Sequence, residues 1–304
     1  MNYLGLSFRH VCAAGLTILF LSAGGASADD TLASRVGSVF DNVARGLSEK
    51  ANSILGRDSA TEGSATVHVK SRTFEEVYPV SSTATVSITN EFGNVRVGVW
   101  DNPVVQITAE IAVQAQSAEI AERVCRDIDI VVKPSDKAVD ATTVFPDSPC
   151  SEGKPSMAVS YTVTIPRTVG LICKNDFGDV YVGGANGSVI LNVYYGAVEL
   201  RDLGGAIDVR HRGGSEFSLL AEGLHQGGSF DLNGVEARFS EVSGDLVVSN
   251  AGGGTEFYDS GAPGHVEITN KSGAITYFLP AGPAPDVTAT AVGIVWAYLV
   301  RFCA

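Results

Sequence analysis

The sequence predicts an all-β chain built around a β-solenoid, and three regularities predict it. Glycines recur at Gly178, Gly187, Gly196, Gly205 and Gly214, each nine residues after the last. Apolar pairs stand between them: Val180/Val182, Val189/Leu191, Val198/Leu200 and Ile207/Val209. The unit Gly-x-apolar-x-apolar occurs at nine places, Gly93, Gly178, Gly187, Gly196, Gly205, Gly228, Gly244, Gly264 and Gly273, with an Asn often shortly ahead, as at Asn90, Asn175, Asn192, Asn250 and Asn270. At Gly214 the apolar residues, Phe217 and Leu219, come one position late.

Strand geometry explains the interval. A short strand sends alternate side chains to one face, so each apolar pair shares a face. Gly, with Asn before it, accepts the cramped backbone of a tight corner. One unit cannot bury its pair alone, but stacked turns bury a continuous column. Two units make a coil of roughly 17–20 residues, with ladder hydrogen bonds running parallel between coils. A calcium-binding β-roll would need Gly-Gly-x-Gly-x-Asp; only GGANGS, 183–188, comes near, and Ser188 stands in the place of the Asp. An antiparallel sandwich is the stronger rival, and the regular nine-step favours the solenoid.

The elements follow in chain order. Residues 1–28 carry one fixed charge, Arg9, then an apolar run and Ala26-Ser27-Ala28 before Asp29-Asp30, the layout of a cleaved signal peptide. Residues 31–56 space Leu32, Val36, Val39, Phe40, Val43, Leu47, Ala51 and Ile54 at three and four, an amphipathic helix. Residues 57–65 read as linker. From 66 the pattern alternates as strand, broken at 117–128 by a short helix with Ser117 as its cap and at 146–156 by an exposed loop. The domain plan is thus a signal peptide (1–28), helix and linker (29–65), solenoid (66–290) and an apolar tail (291–304), the last too short to span a bilayer.

ITNEFGNVRVGVWDNPVVQITAEI, SAEIAERVCRDIDIVV, YTVTIPRTVGLICKNDFGDVYVGG and the repeats after them resemble the bacterial DUF4097 family of adhesin-like domains. The likeness covers residues 66–290 and is most specific in two Asn-x-Phe-Gly-x-Val-x-Val blocks, 90–97 and 175–182. It implies an exported right-handed parallel β-helix without catalytic activity, acting in the periplasm, at the outer surface or outside the cell. It supplies no binding residues. The tail VGIVWAYLVRFCA departs from the family's ending.

Candidate chemistry is sparse. Removing Arg9 takes the formal charge from −13 to −14, which argues against nucleic acid and anionic membranes as partners. Asp176, Asp179, Asp202, Asp208, Asp231 and Asp245 could serve a polysaccharide lyase or hydrolase on a β-helix, yet no acidic pair repeats at coil spacing. Solvated faces and turn caps account for them better. His68, His211, His225 and His265 lie singly, so neither a metal nor a cofactor is expected. The candidate ligand surface is Tyr181, Tyr194 and Tyr195, expected to cluster over neighbouring coils, with the basic spot Arg210, His211 and Arg212. A disulfide between Cys125 and Cys150 is the favoured pairing of three. The expected function is a non-enzymatic binding module of the envelope or surface for a glycan or protein ligand. The alternatives are the carbohydrate-active enzyme and a structural component that self-associates through the unpaired solenoid ends.

Overall fold

A computed structural model describes residues 67–146, 155–213, 218–258, 263–279, 286–291 and 297–301. The signal peptide, the helix expected at 31–56, the linker, Cys150, Phe217, Trp296 and Cys303 lie outside the described residues.

The described chain opens with β1 (His68–Pro79), β2 (Thr85–Phe92), β3 (Val95–Trp100) and β4 (Val104–Ala115). Helix α1 (Ala118–Asp127) leads to β5 (Asp129–Ser135), β6 (Ala138–Val144) and β7 (Ser156–Pro166). Then come β8 (Gly170–Phe177), β9 (Val180–Gly183), β10 (Val189–Tyr195), β11 (Val198–Leu203) and β12 (Ile207–Arg212). The run continues through β13 (Ser218–Leu224), β14 (Gly228–Asn233), β15 (Glu236–Val242), β16 (Gly244–Asn250) and β17 (Thr255–Tyr258). It closes with β18 (Pro263–Asn270), β19 (Ile275–Leu279), β20 (Asp286–Ala291) and β21 (Ala297–Arg301).

These strands form two sheets, one of eleven strands ordered β1-β4-β7-β3-β9-β11-β13-β15-β17-β19-β21 and one of ten ordered β20-β18-β16-β14-β12-β10-β8-β2-β6-β5. We call them the long and the short sheet. From β8 onward, consecutive strands alternate between the sheets and pair in parallel with the strand two further on. Each coil therefore contributes one strand to each sheet, as the nine-residue half-period requires. Val189 stands beside Ile207 and Val180 beside Val198. All four apolar pairs read from the sequence are buried between the sheets. Each such side chain contributes about 1.5–3 kcal/mol by leaving water. The parallel ladder rules out the sandwich for this run.

A second core feature carries no nine-step signal. Phe239 lies parallel to Phe257 at 5.0 Å, Phe257 parallel to Tyr277 at 5.4 Å, and Phe230 meets Phe239 edge-on at 4.8 Å. One position on successive long-sheet strands thus becomes an aromatic column, because in-register pairing places like beside like.

The strands before β8 are arranged differently. β2 and β3 form the first coil and pair in parallel with β8 and β9. β1 and the segment between β3 and β8 build an end: β4 pairs antiparallel with β1 and β7, and β5 antiparallel with β6, while β6 and β7 pair in parallel with β2 and β3 of the first coil. Helix α1 packs on β1 and β4 with Ala121, Val124 and Cys125 buried. The Ser117 hydroxyl accepts from Ile120 N at 3.2 Å, as a cap should. At the other end Arg72 donates to the carbonyls of Cys125, at 2.9 Å, and Ile128, where a cation meets the negative pole of the helix.

Cys125 is a free thiol buried against the core, and Cys150, the partner expected for it, lies outside the described residues. Cys173 is also free, and burial pushes its thiol up to about 12, away from reactivity. Within the apolar tail, β21 adds a last parallel strand beside β19.

Candidate binding surface

One corner of the coil concentrates the unusual chemistry. It joins a short-sheet strand to the next long-sheet strand, at Gly93, Gly178 and Gly196 in successive coils. A Cβ on Gly178 would stand inside the carbonyl of Gly93, and one on Gly196 inside the carbonyl of Gly178. Glycine is needed there because the neighbouring coil occupies the space of a side chain. Gly178 also has φ +138°, a conformation that other residues rarely adopt.

The corner carbonyls need donors inside a dry core, and the residue three before the corner supplies them. Asn175 Nδ2 donates to Gly178 O at 2.9 Å and back to Gly93 O at 3.0 Å. Asn90 Nδ2 donates to Asn175 Oδ1 at 3.1 Å and to Val159 O at 3.0 Å. Further along, Asn250 donates to Val235 O at 2.8 Å and Asn270 to Gly253 O at 3.1 Å. All four asparagines are buried. At the capped end the column continues outward: Thr143 Oγ1 donates to Asn90 Oδ1 at 3.0 Å and lies 2.7 Å from the Tyr161 hydroxyl. Asn192 is outside this column; Val193 occupies its place.

The residue just before the corner glycine points outward instead. Phe92, Phe177 and Tyr195 stack, with centroids 5.3 and 5.2 Å apart and planes within 13° and 10°. Phe145 meets Phe92 edge-on at 5.3 Å. The ridge is half in water: Phe177 is 44% and Tyr195 49% exposed, as is the adjoining Tyr194 at 44%. The Asn-x-Phe-Gly block therefore codes an inward donor, an outward ring and a corner.

Beside the ridge, the outer face of the short sheet aligns Lys174, Asn192, Arg210 and Asp231 on neighbouring strands. Arg212 donates to Asp231 Oδ1 and O, both at 3.0 Å, and pairs with Oδ2. The hydrogen bonds from Arg212 hold the Asp231 carboxyl below its usual range.

The surface read from the sequence is thus partly redrawn. Tyr194, Tyr195, Arg210 and Arg212 lie together on the short-sheet side. Tyr181 is on the long sheet, on β9, with the Arg96 guanidinium 4.7 Å over its ring, so it does not join the other tyrosines. His211 is wholly buried, because it falls in the inward column. Its Nε2–H donates to Gly196 O at 2.7 Å, as an Asn would, and it cannot touch a surface ligand. Phe92 and Phe177 were not among the expected contacts, although their two Asn-x-Phe-Gly-x-Val-x-Val blocks were the signal that could have found them.

The acids are engaged in structure. Asn94 Oδ1 accepts from Asp179 N at 2.9 Å, and Asp179 Oδ1 accepts from Ala197 N at 2.8 Å, one coil handing on to the next. Asp245 Oδ1 accepts from His265 N at 2.9 Å, Asp202 meets His225 at 2.8 Å, and Asp176 faces Lys174 at 3.6 Å. Asp208 projects into water. Among the described residues no three His, Cys, Asp or Glu side chains gather as a metal site. A depression of about 370 Å³ lined by Trp100, Asp101, Arg167 and Thr168 holds one carboxylate, Asp101, paired with Arg167 at 3.1 Å.

Fold and surface together define a parallel β-solenoid with an aromatic ridge along one corner. No family model matches the chain, and no curated protein matches it. Solved structures similar to it include a "putative adhesin" of Bacteroides fragilis, 14% identical over 76% of this chain and 97% of that one, with a TM-score of 0.47. Another protein of that name, from Parabacteroides distasonis, is 13% identical over 75% and 97%, with a TM-score of 0.40. A "putative cell adhesion protein" of Clostridium sporogenes is 9% identical over 77% and 100%, with a TM-score of 0.28.

Proposed function

We propose that this chain is an exported, non-enzymatic binding module of the adhesin-like DUF4097 kind, acting at the cell envelope or surface on a glycan or protein ligand. The observation that carries the reading is the half-exposed ridge Phe92–Phe177–Tyr195 with the row Lys174, Asn192 and Arg210 beside it. Apolar rings held in water are costly unless something covers them. Rings stacked by in-register pairing are rigid, so binding them spends little conformational entropy.

A glycan fits this surface better than a protein. The ridge and row repeat from strand to strand, at about 4.8 Å, and a polymer of repeating sugar rings offers apolar ring faces with hydroxyls and carboxylates at similarly regular intervals. Lys174 and Arg210 would bond those oxygens while the rings take the apolar faces. The hydrogen bonds of Asp179 and Asp245 and the ion pair of Asp231 support the non-enzymatic part, since those carboxylates already hold the coils together. The signal-peptide layout supports export. Among the described residues no helix is long and apolar enough to cross a membrane.

Affinity electrophoresis of the mature chain through gels carrying soluble polysaccharides tests this reading. The double variant Phe177→Ala/Tyr195→Ala is expected to weaken retention about tenfold or more, two aromatic contacts at about 0.5–1.5 kcal/mol each plus their buried area. Asp208→Asn is expected to leave retention unchanged. Retention indifferent to the rings, or polymer cleavage abolished by one acid-to-amide change, would overturn it.

A further inference from the structure

Strand β1 is the last strand of the long sheet at the capped end, and only one of its flanks is paired. Twelve residues, His68–Pro79, pair with β4, and among the described residues no strand covers the other flank. An open edge of that length is a template for another strand. Its side chains are unusual as well. The two most exposed large apolar residues of the described chain, Val69 at 70% and Val77 at 53%, both belong to β1. Lys70 has no ion-pair partner among the described residues. Edge charges ordinarily keep other strands away, so what matters is whether these charges repel or complement a second β1.

We propose that β1 pairs antiparallel with β1 of a second copy of this chain, about a twofold axis through Thr73, fusing the two long sheets into one. In antiparallel sheets, directly opposed residues share a face, which restricts the twofold to axes through a residue. With the axis at Thr73, Val69 of each copy faces Val77 of the other and Lys70 faces Glu76. Ser71 then faces Glu75, and Arg72 faces Phe74. Every pair occurs twice. The apolar pair lies on the outer face and the charged pair on the face that carries α1.

Neighbouring axes are worse. An axis at Arg72 sets Arg72 against Arg72 and Val69 against Glu75. An axis at Phe74 opposes Arg72 to Glu76, but the Arg72 guanidinium is already committed to the Cys125 and Ile128 carbonyls, and Val69 then falls opposite Pro79. Thr73 is the centre at which both exposed valines and the unpaired lysine find partners together. The partner is therefore another copy of this chain, and the solenoids would extend away from a shared capped end. None of the ridge residues is on β1, so this pairing stands or falls independently of the glycan reading.

Light scattering and sedimentation of the mature chain test it, using Lys70→Glu, Glu76→Lys and the swapped double variant. The wild type is expected to be a dimer. Each single reversal places two like-charge pairs across the seam and is expected to weaken the dimer about tenfold or more. The double swap restores opposite charges and is expected to restore the dimer. Both positions are exposed at the strand edge, and an unchanged melting transition will show that each variant folds. A monomeric wild type, a dimer untouched by the single reversals, or a double variant that stays monomeric would each overturn the proposal. The first of these would leave the edge to other occupants, such as the N-terminal segment or a foreign strand.

Discussion

The coils from β8 to β19 and the end built by β1 and β4–β7 share two sheets, yet they solve the same problem in opposite ways. In the coils the chain climbs by parallel pairing, so every corner meets the corner of the coil before it. That contact demands glycine at Gly178, Gly196, Gly253 and Gly273, although Val235 holds the same place between β14 and β15. It leaves inward carbonyls that Asn175, His211, Asn250 and Asn270 serve. At the capped end β1, β4 and β5 add antiparallel pairings, while β6 and β7 still lie parallel to β2 and β3. The last corner contact is that of Gly93, whose Cβ would stand inside the carbonyl of Val159 on β7. Burial there rests on ordinary alternation, as in β4, where Val105, Ile107, Ala109, Ile111 and Val113 are all buried. Although 85 residues separate Asn90 from Asn175, the two are direct neighbours. The repeat thus runs through the inserted segment undisturbed, and the insertion closes the end of the core where the first coil would otherwise lie open.

The strongest way to break this comparison is to put a side chain in the glycine column. Gly196→Val would drive a Cβ into the backbone carbonyl of Gly178, where neither coil can retreat without disturbing its ladder. A cost of about 4 kcal/mol or more is expected, read as loss of folded protein or a collapse of the melting temperature. Gly98, in β3, has open space where its Cβ would go. Gly98→Ala is expected to change stability by less than about 0.5 kcal/mol. Equal tolerance at both sites would refute the account of the corner.

The next sharpest test lies in the inward column. Val193 sits there naturally, flanked by Asn175 and His211. An apolar residue is tolerated because its neighbours serve the carbonyls: Asn175 covers Gly178 O, and His211 reaches back to Gly196 O. Asn175 has no such substitute. Asn175→Val should cost about 2–4 kcal/mol by stranding Gly178 O in a dry core and removing one partner of the Asn90 amide, which keeps Val159 O, measured by denaturant unfolding. Val193→Ala, which loses only packing, should cost less, about 1–2 kcal/mol.

Much of the coil was legible in the sequence, because the pattern there is local. The nine-step of glycines and the apolar pairs fix which side chains face inward, and all four pairs are buried. Two kinds of feature were harder to read. The antiparallel end depends on which strand neighbours which, and alternation alone does not specify that. The placement of His211 and Tyr181 depends on counting from the corner rather than on residue type. His211 lies three before Gly214, the inward position, so its basic neighbours misled; Tyr181 and Tyr195 are near in sequence but on different sheets. The same count would have marked Phe92, Phe177 and Tyr195, each one before its glycine, as outward.

The subtlest test concerns His211, because its effect shows only as a dependence on pH, and it separates a histidine from an asparagine in one column. Nε2–H donates to Gly196 O, while Nδ1 is buried without a partner. A second proton would go on Nδ1, where no acceptor waits and the Arg212 charge is close. Burial pushes the folded-state pKa below 6.5; the bond to Gly196 O opposes this and Arg212 adds to it. Below pH 6.5 the unfolded chain therefore takes up the proton more readily than the folded one. The stability tied to neutral His211 is complete above pH 6.5 and declines as pH falls beneath it, by at most about 1.4 kcal/mol per pH unit. His211→Asn keeps a donor for Gly196 O and cannot ionise. Unfolding midpoints measured from pH 7.5 down to pH 5 should fall less steeply for His211→Asn than for the native chain; parallel slopes would show that the histidine takes up its proton without leaving the core.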